Sequence, residues 1–140
     1  MSGALAAARI SDSELAAISQ LVRESRLGLE AGDREGMLLR NNEFHALQAR
    51  AARNVFLGQQ LQTLRAYVDL LRGRSWVQSD RALEAQREHE EILDALYRRD
   101  PHAARELNEQ HVETAWNFVE AHLKKLESPT EYDAPAASTR

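Results

Sequence analysis

The chain has 140 residues, 43% hydrophobic and 29% charged, a length and balance that suit one globular domain with its own core and leave no room for two. Its 22 acidic against 18 basic side chains give a formal net charge of −4, which argues against this chain gripping nucleic acid by itself, since phosphate binding wants a net basic face. Cysteine is absent, so a disulfide framework and a thiolate metal site are both excluded, and any metal must take nitrogen and oxygen ligands.

In chain order, Ala4 to Ala8 make a short Ala-rich start. Ser11-Asp-Ser-Glu14 then reads as a capping box, opening a helix with the stripe Leu15, Ile18, Leu21, Val22 and Leu29 and with Gly32 after its end. Asp33 is placed to cap a second helix that runs to about Asn54, whose inner face is Met37, Asn41, Phe44, His45, Gln48, Ala51 and Ala52. A third carries Leu57, Leu61, Leu64, Val68 and Leu71 in phase and ends near Gly73. The fourth is expected from about Trp76 to Arg99, with Leu83, Ala85, His89, Ile92, Leu93 and Leu96 inward. Asp100-Pro101 is a restart signal, an N-cap acid followed by proline at the first helical position. The last helix bears Ala104, Leu107, His111, Ala115, Phe118, Val119 and His122 and fades near Glu127. Residues 128–140 are rich in Pro, Ala, Ser and Thr and are predicted to be a disordered tail. No run alternates with a two-residue period for long enough to suggest a strand. The expected fold is all-α: an antiparallel bundle of five to six helices, forming one domain over residues 1–127. Neither a leader sequence nor an apolar run of membrane-spanning length is visible, so the expected setting is the cytoplasm, with no membrane partner.

Three of the five histidines, His45, His89 and His111, fall on the apolar stripes of different predicted helices. Asn41 lies one turn before His45, so the two side chains can reach a single ion. Imidazole on a stripe of Leu, Ile and Phe is desolvated at a cost unless its nitrogens are satisfied, and helical bundles build metal sites from such inward residues. Three imidazoles and an amide oxygen suit a divalent transition metal such as Zn, Ni, Co, Fe or Mn. Asn41 leaves the ion's full charge in place, so an open coordination position would attract an anion, most simply a small carboxylate. Gln48, one turn past His45, and Arg65, in phase with Leu61 and Val68, are the candidates to hold the anion's other end. Against this, a single in-phase histidine is more often a core residue bonded to backbone. Three on three helices, one with an amide a turn away, bring a shared site level with that reading.

The remaining candidates read as structural. His102, in the first turn of its helix, is expected to be solvated; His122 lies too far from His111 to share an ion. Trp76 and Trp116 read as core or interface aromatics, and Glu90-Glu91 as a solvated face from which one acid could orient an imidazole. Glu43, Glu88 and Glu90 all phase off the inner stripe, which leaves a small metalloenzyme without an obvious general base. The chain is therefore not expected to be an enzyme. That rival, and a purely structural or interaction bundle whose histidines pair with backbone, stand beside a ligand-binding role.

Asn41-Asn-Glu-Phe-His45 followed by Ala51-Ala-Arg-Asn54 resembles the D-x-x-F-H … A-x-x-N segment of the FCD effector domain, from the FadR-like branch of the GntR transcriptional regulators. The stretch from Glu88-His89 to Asp100 is similar to the family's E-H-x-x-I-L-x-A-I-x-x-x-D, and Ala104 with the step to His111 matches its following helix. The resemblance covers roughly residues 4–124 and departs from the usual Asp at Asn41. It implies a metal set of Asn41, His45, His89 and His111, with Zn or Ni favoured, and a small organic acid or similar metabolite as effector. It also implies a homodimer that changes how an attached winged helix-turn-helix module grips DNA. On this resemblance the chain begins near the end of the first effector-domain helix, so that module lies outside the 140 residues.

Overall fold

A computed structural model describes residues 2–72 and 80–127. Among them are six helices and no strand: α1 Ser2–Arg9, α2 Asp12–Glu30, α3 Arg34–Ala51, α4 Val55–Arg72, α5 Arg81–Tyr97 and α6 Pro101–Glu127. The all-α bundle expected from the sequence is what forms. The predicted tail, Gly73 and Trp76 lie outside the described residues, as does the expected start of the fourth helix; its described part opens at Arg81.

Local chemistry sets most helix ends. Ser11 and Glu14 form the reciprocal capping box, with the Ser11 backbone N–H donating to Glu14 Oε2 at 2.9 Å. Asp33 Oδ1 accepts from the Gly36 N–H at 3.0 Å, and the preceding Gly32 supplies the positive φ of 77° that turns the chain out of α2. Asn54 Oδ1 accepts from the Leu57 N–H at 3.0 Å, which closes the first turn of α4. Asp100 Oδ1 accepts from the N–H groups of both His102 and Ala103 at 3.0 Å, so the restart at Pro101 is capped as its sequence implies.

Two arginines occupy the left-handed region that L-residues avoid: Arg53 at φ 54° and Arg99 at φ 50°. That conformation costs roughly 1–2 kcal/mol each. Each guanidinium reaches back to the start of α2, Arg53 to Glu14 at 2.5 and 2.8 Å, and Arg99 to the Ile10 carbonyl at 2.5 Å and to Asp12 at 2.8 Å. Arg9 in turn donates to the Ala52 carbonyl at 2.8 Å. The joint between α1 and α2 is thereby tied to the ends of α3 and α5.

The core is built from Ile18 and Val22 of α2, Phe44 of α3, Ile92 and Leu96 of α5, and small residues such as Ala6, Ala7 and Ala104 where helices approach closely. A second cluster joins Met37 to Ala82 and Ala85. α2 packs on α3 and α5, α1 on α3 and α6, and α5 on α6, while α4 lies mainly against α3 and α6 among the described residues. The predicted inner face of α3 is buried throughout. The stripe assigned to α4 is not: Leu64 and Leu71 face outward, and Leu57, Leu61 and Val68 are only half-buried. Among the described residues α3 and α6 flank the inner side of this helix, and Phe56, Leu64, Tyr67 and Leu70 are left exposed. Leu83, expected inside, is exposed, because the first turns of α5 bury Arg81, Ala82 and Ala85 instead. Among the described residues no helix is long and apolar enough to cross a membrane.

Glu14 gives a pH signature of this fold. The Arg53 hydrogen bond, then the Ser11 N–H, pull its carboxyl from 4.5 down to about 2. A depressed carboxyl contributes stability that is fully present above its unfolded value and lost as pH falls through its folded value. The melting-temperature gap between wild type and Glu14→Gln should therefore be constant above pH 4.5 and close as pH falls towards about 2. Thermal melts over that range check it, and a gap that stays open in acid would contradict the assignment.

Candidate metal centre

Asn41, His45 and Gln48 share the buried face of α3 with Phe44, at the spacing that repeats one side of a helix. His89 is buried on α5 between Ala85 and Ile92, and His111 is buried on α6. The bundle brings the three imidazoles together. Their ring centroids form a near-equilateral triangle with sides of 5.0, 5.0 and 4.9 Å, and one nitrogen from each lies within 4.8 Å of the others. Phe44 stacks on His89 at 4.0 Å with 19° between planes, and meets His45 edge-on at 5.2 Å, so one aromatic ring orients two imidazoles.

The outer side of the cluster sets the protonation of its inner side. His111 Nδ1 lies 2.5 Å from Glu88 Oε2, and the same carboxylate oxygen accepts from Arg81 at 2.7 Å. Arg81 is itself buried, at 4% side-chain exposure, so this carboxylate is held as an anion by a partner that cannot leave. Burial alone would raise the Glu88 carboxyl, but the hydrogen bonds from His111 and Arg81 outweigh it and the group sits below its ordinary value. Burial lowers the His111 imidazole, and Glu88 offsets this only in part. A neutral ring donating Nδ1–H to Glu88 must present a lone pair at Nε2. That nitrogen lies 3.2 Å from His45 Nε2. Two imidazole nitrogens sharing a tetrahedral ion with bonds of roughly 2.0–2.1 Å would be about 3.3 Å apart. The donor set therefore fits a cation: three buried imidazoles, one with its tautomer fixed by a carboxylate behind it.

His45 also faces outward. It forms the inner end of a cleft of about 910 Å³ between α3 and α4, whose walls include Asn42, Arg50, Arg53, Arg65 and Asp69. Arg65, singled out from its phase with Leu61 and Val68, does line this cleft, and its charge is close enough to disfavour protonation of His111. Gln48 is buried at 3% exposure and lies off the cleft wall; its Nε2 has no hydrogen-bond partner among the described residues. Asn41 is buried one turn before His45, and its Nδ2 donates to Asn42 Oδ1 at 3.1 Å.

Two expectations need correction. Glu88, phased off the inner stripe, is half-buried and bonded to a histidine of the cluster. Among the described residues neither Glu90 nor Glu91 orients an imidazole; Glu90 pairs with Arg26 and accepts from Gln86 at 2.9 Å. The available signal for Glu88 was Arg81 two turns earlier on the same helix face, a charge that has to be paired once buried. His102 is 83% exposed and within 3.5 Å of Glu106, as expected for a solvated ring. His122 stacks parallel to Phe118 with centroids 6.5 Å apart, a packing role. Trp116 is exposed and takes no part in the core.

Partners behind a metal-binding histidine typically change affinity 10- to 100-fold. Glu88→Gln should weaken Zn²⁺ binding by roughly that factor, His89→Ala should abolish it, and His102→Ala should leave it unchanged, as measured by competition with a chromophoric chelator. Equal affinity in wild type and His89→Ala would sink the centre.

The family model described as the FCD domain matches residues 1–114, a span that takes in all three clustered histidines and the cleft. No curated protein sequence and no solved structure matches the chain. With a family match over most of its length, and an all-α bundle that gathers three histidines from separate helices, the chain belongs to the FCD domain family.

Proposed function

We propose that this chain is the effector-sensing domain of a GntR-type transcriptional regulator, which binds a small organic acid at a metal-centred pocket and signals through a dimer. The observation that carries the reading is the meeting of three buried imidazoles, one of which, His45, lines a cleft walled by arginine. His45, His89 and His111, with the amide oxygen of Asn41 as fourth donor, would hold a divalent transition metal, Zn or Ni by ligand type. When bound, the ion supplies positive charge and a coordination position for a carboxylate.

The chain's own residues do the rest. Arg65, on the α4 wall, meets the second anionic end of a dicarboxylate or hydroxy acid entering past His45. A ligand held between His45 on α3 and Arg65 on α4 favours the arrangement in which those helices are closed on each other, a population shift. Gln48 adds a buried amide donor one turn deeper. Glu88 is committed to the outer nitrogen of His111 and to Arg81, so it is not placed as a general base at the inner face, which favours sensing over turnover. Operator recognition would belong to a winged-helix module attached to this domain, in keeping with the chain's net charge of −4.

The dimer contact is assigned to the outward face of α4. Phe56, Leu64, Tyr67 and Leu70 are each 59–78% exposed, and the two charged residues between positions 55 and 71, Arg65 and Asp69, turn to the cleft instead. Four such side chains present roughly 400–600 Å² of apolar surface, more than half of the ~800 Å² that each partner buries in a standard interface. Two copies of a chain carrying net negative charge can meet on this face without like-charge repulsion. The helix that walls the pocket would then also carry its state to the second subunit.

Purified protein should hold close to one transition metal per chain by elemental analysis, and small dicarboxylates should raise its melting temperature only while that metal is present. Stabilisation that survives complete chelation would place the ligand elsewhere. Tyr67→Glu should convert a dimer to a folded monomer in sedimentation velocity; a wild-type protein that is monomeric at high micromolar concentration would rule out this face.

A further inference from the structure

A chain of side-chain amides runs from α4 to the metal centre, and its polarity is forced. Asp69 Oδ2 accepts from Asn42 Nδ2 at 3.0 Å. A carboxylate can only accept, so the amino end of the Asn42 amide is committed to Asp69 and its carbonyl oxygen is turned the other way. That oxygen, Asn42 Oδ1, also only accepts, so Asn41 must present its Nδ2, which it does at 3.1 Å. What remains of the Asn41 amide is Oδ1. It belongs to a residue only 3% exposed and one turn from His45 on the same buried face.

The direction of this amide matters because its two ends differ in chemistry and hardly in shape. An amide oxygen carries lone pairs that a cation can use; an amide nitrogen has its pair delocalised into the carbonyl and offers only N–H donors. Flipped, Asn41 would point two N–H groups at the centre and repel a cation. A carboxylate at the same position, with equivalent oxygens, would need no such control.

We propose that Asp69, acting through Asn42, is a positioning residue that locks the Asn41 amide with its carbonyl oxygen towards the imidazole cluster, which makes Asn41 the fourth ligand. The inference rests on the metal-site reading above and adds a role to two residues outside the ligand set. It also ties the strength of the metal site to the seating of α4 on α3, because Asp69 and Asn42 belong to different helices. A cleft ligand that moves α4 would alter the affinity of the centre, and the reverse coupling would be equal.

The test is Zn²⁺ affinity of the full chain, by chelator competition, with the metal-free melting temperature as a check on folding. Asp69→Asn can present either end to Asn42 and so releases the lock; it should lower Zn²⁺ affinity by roughly tenfold. In the Asn41→Asp background the same Asp69→Asn change should alter affinity less than about threefold, because there is no amide left to orient. The exchange Asn42→Asp with Asp69→Asn rebuilds the same polarity with the carboxylate moved one place, and should recover most of the lost affinity. An equal fall in the wild-type and Asn41→Asp backgrounds would overturn the proposal and leave Asp69 a charge or packing effect. So would an unchanged affinity in Asp69→Asn, or a swapped pair that recovers nothing. Wild-type protein that takes up neither Zn²⁺ nor Ni²⁺ would overturn the metal site itself, a separate result from any of these.

Discussion

An imidazole buried against Phe44 is unfavourable unless both of its nitrogens are occupied, and three buried rings in one place compound the difficulty. Much of the architecture follows from meeting that constraint. On the outer side, Glu88 takes the Nδ1–H of His111, and the buried Arg81 keeps Glu88 charged. Each group in the series is tolerated because the next one pairs it, and the series ends at the first residue of α5. On the inner side, His111 Nε2 is left with a lone pair, 3.2 Å from His45 Nε2, a separation suited to a shared cation. Glu88 thereby determines where the proton of His111 sits, and leaves its inner nitrogen able to take a cation.

The same logic explains why an unusual helix sits beside the centre. α4 turns Arg65 and Asp69 towards the cleft beside a half-buried Leu61, and Phe56, Leu64, Tyr67 and Leu70 towards the outside, unlike a helix that lays its whole apolar face on a hydrophobic core. Inward charge makes sense where the neighbour is a polar pocket rather than a packed interior. Outward apolar surface makes sense where another chain completes the packing. α4 is thus the one element in contact with the pocket, with the amide ladder leading to Asn41, and with the surface assigned to a second subunit.

How much of this was legible in the sequence depends on the range of the interactions. The caps at Ser11, Asp33 and Asp100 join atoms no more than three residues apart, so residue identity is enough to read them. The inner face of α3 was legible from Met37, Phe44 and Ala51 in phase with Asn41, His45 and Gln48, although Leu39 is left outside. α4 was not: apolar residues cover most of its circumference, at Val55, Phe56, Leu57, Leu61, Leu64, Tyr67, Val68, Leu70 and Leu71, and periodicity cannot say which of them have neighbours. Glu88 escaped for a different reason. Its partner lies 23 residues away on another helix, and phase measured along α5 alone places it off the core.

The sequence by itself determined the helical class, where most helices begin and end, and which imidazoles face inward, because these depend on local hydrogen bonds and on a repeat of 3.6 residues. Only the tertiary structure decided that the rings meet around one point, which acid stands behind them, which way the amide of Asn41 is turned, and which side of α4 is left bare. Those are properties of how helices are set against one another, and no pattern confined to a single helix contains them.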